Sequence, residues 1–189
     1  VASLAGVAPG GGGAVEISSS KTLTQGTTLG SSGGLVGHWS FDGGDMNWTS
    51  ATAGVAYDRS GTGANGTLTN MERNSDVAPG KLGQALNFDE VNNYVSVADN
   101  AAHNFGTTED FSIAFWTRVR TIGGTYAALV GKKLSRATIR PGYLVAFESD
   151  GISAYIDDGT DTATAFSAGT INDNAWHHVV VTASRTGNA

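Results

Sequence analysis

The chain has 189 residues, 40% of them hydrophobic and 15% charged, with a net charge of −6. That is enough for one sizeable core, while the acidic balance without a basic cluster argues against nucleic acid as a partner. The absence of cysteine excludes disulfides, zinc-thiolate centres and thiol catalysis, and no apolar run reaches the roughly 18 residues of a membrane span.

Glycine, at 27 residues, combines with abundant Ser, Thr and Asn. This is the usage of a turn-rich β protein rather than of helix faces filled with Glu, Lys and Leu. The first eight residues, VASLAGVA, form a short apolar stub. Three origins stay open for it: the end of a removed signal segment, the end of a hydrophobic anchor, or a frayed terminus. Ala8 to Gly13 reads as a Gly-rich linker. Ala14 to Gly34 is Ser/Thr-rich and too sparse in apolar residues for its own core. Residues 1–34 are therefore expected to be an extended arm ahead of a folded domain at 35–189.

From Leu35 the chain reads as consecutive strands. LVGHWSF (Leu35 to Phe41) alternates, with Leu35, Trp39 and Phe41 on one face. Asp58 to Leu68 is a loop leading into a short strand. GQALNFD puts Leu86 and Phe88 on one face, and NNYVSVAD follows the turn at Asp89 to Asn92. FSIAFWTRV gives the clearest period of two: Phe111, Ile113, Phe115 and Val119 point one way, Ser112, Ala114, Trp116 and Arg118 the other. YAALVGK, GYLVAFES, GISAYIDD, TATAFSAG and WHHVVVTAS are further strands divided by Gly and Asp turns. Pro9, Pro79 and Pro141 are expected to lie outside strands. The fold class implied is all-β, an antiparallel two-sheet sandwich closing around Trp39, Phe88, Phe115 and Trp176.

The segments GLVGHWSFDGG, YDRSGTGANGTL, GKLGQALNFDEVNNYVSVADN, EDFSIAFWTRV and NAWHHVVVTASRTG occur in an order and spacing that resemble LamG-like jelly-roll domains. These belong to the concanavalin A-like lectin/glucanase superfamily, and the likeness runs from about Leu35 to Ala189. In that family the WHHVVVT strand is followed by further strands, so the resemblance implies a domain incomplete at its C-terminal side. Three accounts are open: a fragment, a longer chain, or strands donated by another chain. The resemblance also implies a calcium candidate, with Asp42 and Asp58 at the family's acidic positions and Asn65 as an amide ligand; hard oxygen ligands suit that ion.

Chemistry is weighed on the residues. Glucanases of the superfamily carry acids at alternating positions of one strand, as retaining hydrolysis requires two carboxyls roughly 5 Å apart. Here Asp89-Glu90 and Asp157-Asp158 are adjacent in sequence, so on a strand they would face opposite ways. His177 and His178 have the same geometry and cannot chelate one ion. The chain is therefore read as no enzyme. Trp48, Trp116 and Tyr155 are the aromatics least clearly directed inward. Trp48, expected in a loop, is the first candidate for ligand contact, with Asn47, Asp45 and Trp116 beside it in the candidate set.

The expected role is that of an extracellular or cell-surface recognition module, bacterial or archaeal, that binds glycan or a surface protein with calcium as a candidate cofactor. The alternative is a structural subunit of an extracellular filament or layer, in which copies join through the N-terminal arm or by strand addition.

Overall fold

The computed structural model describes residues 34–120, 126–133, 136–137, 140–167 and 169–184. The expected arm, Gly34 apart, lies outside the described residues. Among those residues the only helical pieces are single 3-10 turns at Gly43–Asp45 and Ala101–His103, and no helix is long and apolar enough to cross a membrane. The protein is all-β.

Twelve strands form in chain order: β1 Met46–Trp48, β2 Ala53–Ala56, β3 Gly66–Thr69, β4 Val77–Pro79, β5 Gln84–Leu86, β6 Tyr94–Val97, β7 Phe111–Thr117, β8 Tyr126–Gly131, β9 Gly142–Glu148, β10 Gly151–Asp157, β11 Thr162–Phe166 and β12 His177–Ala183. Every pairing is antiparallel. The sheets run β1-β2-β3-β6, β11-β10-β9-β8, β12-β7 and β4-β5.

Two apolar clusters hold these sheets. In one, Met46, Ala56, Leu68 and Met71 line the first sheet and are met by Trp39, Phe41, Trp48, Leu86 and Val95. In the other, Val145 and Ile152 of β9 and β10 lie over Val179, with Ile113, Phe115, Leu129, Ile171 and Val181 around them. This second cluster is a two-layer sandwich, because alternate residues of β7 and β12 face β9 and β10. Each large aliphatic side chain so enclosed contributes about 2 kcal/mol.

Strands from Phe111 onward form as the alternation predicts. Four expectations change. Leu35 to Phe41 belongs to no sheet. Its polar groups are satisfied by the Asp58 loop instead: Asp58 accepts from His38 N–H at 3.0 Å, and Arg59 N–H donates to His38 O at 2.8 Å. Trp39 Nε1 donates to Ala64 O at 2.9 Å. Second, β5 pairs with β4 rather than with β6, which pairs with β3. Third, Phe88 is 47% exposed, just beyond β5, and is no core ring. Trp39 and Phe115 do meet the clusters, while Trp176 is half-buried beneath the Arg118 guanidinium at 5.2 Å. Fourth, Pro79 lies inside β4, at its last residue, where a missing N–H costs a ladder little.

Candidate functional site

β1 packs tightly against a glycine of its neighbour. Gly54 of β2 lies opposite Trp48, and a Cβ there would come within 2.7 Å of Asn47 O. Only glycine lets β1 lie so near β2. Met46 turns into the core, Asn47 is exposed, and Trp48 is half-buried against the first cluster. Trp48 thus stands on a strand, not in the expected loop.

Beside β1 opens a groove of about 380 Å³, lined by Met46, Asn47, Trp48, Arg73, Val77 and Gln84. Its opposite wall is the β4-β5 hairpin. That hairpin is fixed by Asp42, whose Oδ1 accepts the Gln84 N–H at 2.8 Å. Gly83, with φ of +56°, makes this possible, since a Cβ would sit 2.0 Å from the same oxygen. Arg73 is the one charged side chain among the lining residues. The lining is mainly polar, with two amides and a guanidinium beside Trp48 and Val77.

The predicted contact residues separate. Asn47 and Trp48 meet in the groove. Asp45 turns away: it accepts from Ser40 Oγ at 2.6 Å and pairs with Arg59 at 2.5 Å, and these contacts hold its carboxyl below the usual range. Trp116 is 40% exposed on β7, with the His178 ring at 5.0 Å and the Lys81 ammonium over its face at 5.6 Å. It does not line the groove. Tyr155 is buried and donates its hydroxyl to Glu148. Arg73 and Gln84 were not legible as contacts. Gln84 was read only as the start of a strand and Arg73 lies in none of the quoted segments; only the tertiary approach of β5 and of the turn at Arg73 brings them to β1.

The three candidate calcium ligands are engaged otherwise. Asp58 accepts five bonds, from His38 N, Ser60 N, Ser60 Oγ, Thr62 Oγ1 and Ala64 N, at 2.8 to 3.2 Å. Burial pushes its pKa up, but the bonds from Ser60, His38 and Thr62 outweigh burial and hold it well below the carboxylate range. Asn65 Oδ1 accepts the Asp58 N–H at 2.9 Å. Asp42 serves the hairpin. N–H and O–H donors around both Asp58 oxygens are the opposite of a cation's needs, so this donor set does not fit calcium. Among the described residues, no group of three or more His, Asp or Glu could hold a metal.

The acidic pairs are likewise spent on turns. Asp89 Oδ1 accepts from Val91, Asn92 and Asn93. Asp157 is bonded to Lys133, and Asp158 accepts from Thr160 and Asp161 N–H. His177 bonds Asp173 at 2.8 Å while His178 faces Trp116, so the two imidazoles do lie on opposite sides of β12. A second open groove, of about 360 Å³, is lined by Thr52, Asn70, Glu72, Asp76, Asn92 and Asn93 among others.

The chain is 24% identical over 124 residues to the non-toxic nonhemagglutinin type E of Clostridium botulinum, a match covering 66% of this chain and 10% of that protein. The chain thus spans about a tenth of that relative's length. Residues 89–189, more than half of the chain, match the laminin G profile of the concanavalin A-like lectin/glucanases superfamily. With its antiparallel sheets and its sandwich of β9 and β10 on β7 and β12, the chain belongs to the concanavalin A-like lectin/glucanase superfamily.

Proposed function

We propose that this chain is a non-catalytic recognition module that works outside the cell and binds glycan in the groove between β1 and the β4-β5 hairpin. The observation that carries this reading is the meeting of Asn47, Trp48, Arg73 and Gln84 around one open cleft. Trp48, half-buried in the lining, supplies an aromatic surface against which the apolar face of a sugar ring can lie. Asn47 and Gln84 supply amide donors and acceptors for hydroxyls. Arg73 has no acid beside it among the lining residues, which suits a sugar carrying a carboxylate or sulfate. Membership of a lectin-containing superfamily supports a binding role. Calcium is left out of the proposal because Asp58 already faces hydrogen-bond donors.

A glycan array with neutral and acidic oligosaccharides tests the reading, followed by titration of the tryptophan fluorescence. Binding to acidic glycans is expected. Asn47→Ala and Arg73→Ala change exposed side chains and should each weaken it at least about tenfold, the loss of one or two polar contacts, without lowering Tm. Retention of a surface protein with no glycan bound, or glycan binding that both variants leave intact, would overturn the assignment of this groove.

A further inference from the structure

Among the described residues β11 is an edge strand. All five of its residues, Thr162 to Phe166, are exposed. It carries no charge, no proline and no register shift. Natural sheets guard such edges with lysine, proline or bulges, and the other edge of the same sheet does so. β8 has a register shift between Ala128 and Val130 and runs into Lys132 and Lys133. Phe166 adds an apolar ring that is 68% exposed, held edge-on to Tyr155 at 6.4 Å.

The ladder fixes which backbone groups are free. Ser167 N–H donates to Ile152 O at 2.8 Å and Asp158 N–H to Asp161 O at 3.2 Å. Bonded residues alternate along an antiparallel pair, so Ala163 and Ala165 turn their N–H and C=O toward β10. Thr162, Thr164 and Phe166 turn theirs outward, where among the described residues no strand meets them.

We propose that this edge joins two copies of the chain, β11 against β11 in antiparallel register centred on Thr164. The strand is complementary to itself in that register. Thr164 meets Thr164 of the second copy, and Thr162 meets Phe166 of the second copy. All are residues whose groups point outward, so each free donor finds an acceptor. The residues between, Ala163 and Ala165, face each other as the close, non-bonded pair, where small side chains fit. Asp161 falls opposite Ser167 rather than another acid, so no like charges oppose. Phe166 covers its ring against Thr162 of the second copy. The arrangement is a closed two-fold dimer that consumes both edges and leaves no further copy to add.

Sedimentation of the full chain across a wide concentration range tests it, independently of any glycan. Dimer is expected. Thr164→Lys sets two ammonium groups opposite each other at the two-fold axis, and Thr164→Pro removes an outward N–H while sparing the ladder to β10. Both should give monomer with an unchanged circular dichroism spectrum. The chain has no cysteine, so Thr164→Cys treated with a short bifunctional thiol reagent should yield a covalent dimer, and Thr67→Cys on β3 should not. A wild-type monomer at every concentration, a dimer that survives both substitutions, or equal cross-linking at both cysteines would overturn the proposal.

Discussion

Lys133 and Asp157 form an ion pair of 2.7 Å whose side chains are 2% and 0% exposed. The bond from Lys133, opposed by burial and reinforced by Gly159 N–H and the Thr162 hydroxyl, lowers Asp157 to about 2. The folded pKa lies below the unfolded value of about 3.9, so the native state binds fewer protons. The pair's stabilisation is complete above about pH 4 and fades as pH falls toward 2. In melts recorded between pH 7 and 2, Lys133→Met should lower Tm at pH 7 on the order of 10 °C, since it leaves a buried charge alone. It should also remove the pair's share of the acid-induced fall. Adding Asp157→Leu should restore part of the loss, because an apolar pair incurs no desolvation cost. Sequence alone showed Asp157 only as one of two adjacent acids; its partner, 24 residues away, becomes visible only when β8 and β10 flank β9.

Among the elements, β7 was legible because its apolar residues recur with period two, and β8 to β12 because runs of five to seven residues rich in apolar and β-branched side chains are divided by Gly and Asp turns. β1, β2 and β4 were not. They run three or four residues, too few for a period to show, and β2 is alanine and glycine in three of its four positions. Leu35 to Phe41 has the pattern of a strand, yet the Asp58 loop rather than a neighbouring strand satisfies its backbone. Phe41 then breaks the alternation with φ of +60°. The same locality made half of the groove predictable: Asn47 and Trp48 are adjacent in sequence, whereas Arg73 and Gln84 arrive on other elements. Gly54→Ala tests how β1 is held. The added methyl meets Asn47 O and must push β1 outward, with an expected loss of about 1 to 3 kcal/mol in denaturant melts. Glycan affinity should fall with it, since Asn47 and Trp48 move together.

At the scale of the molecule, the resemblance seen in the sequence and the family match agree on the superfamily, and the all-β character follows from turn chemistry and alternation. The division into four sheets did not follow, because pairing partners are chosen in three dimensions. Nor did the division of the interior into one cluster under β1, β2 and β3 and another between β9, β10, β7 and β12.

That partition bears on how the molecule breathes. Two patches of oily side chains, each sealed by its own strands, have no reason to open at one free energy. Placed in heavy water, amides of β9, β10 and β12 should exchange as one block, and those of β2 and β3 as another with a different opening cost. The cleft proposed for sugar hangs on the second block, so an occupant there should slow deuterium uptake around Leu68 far more than around Val145.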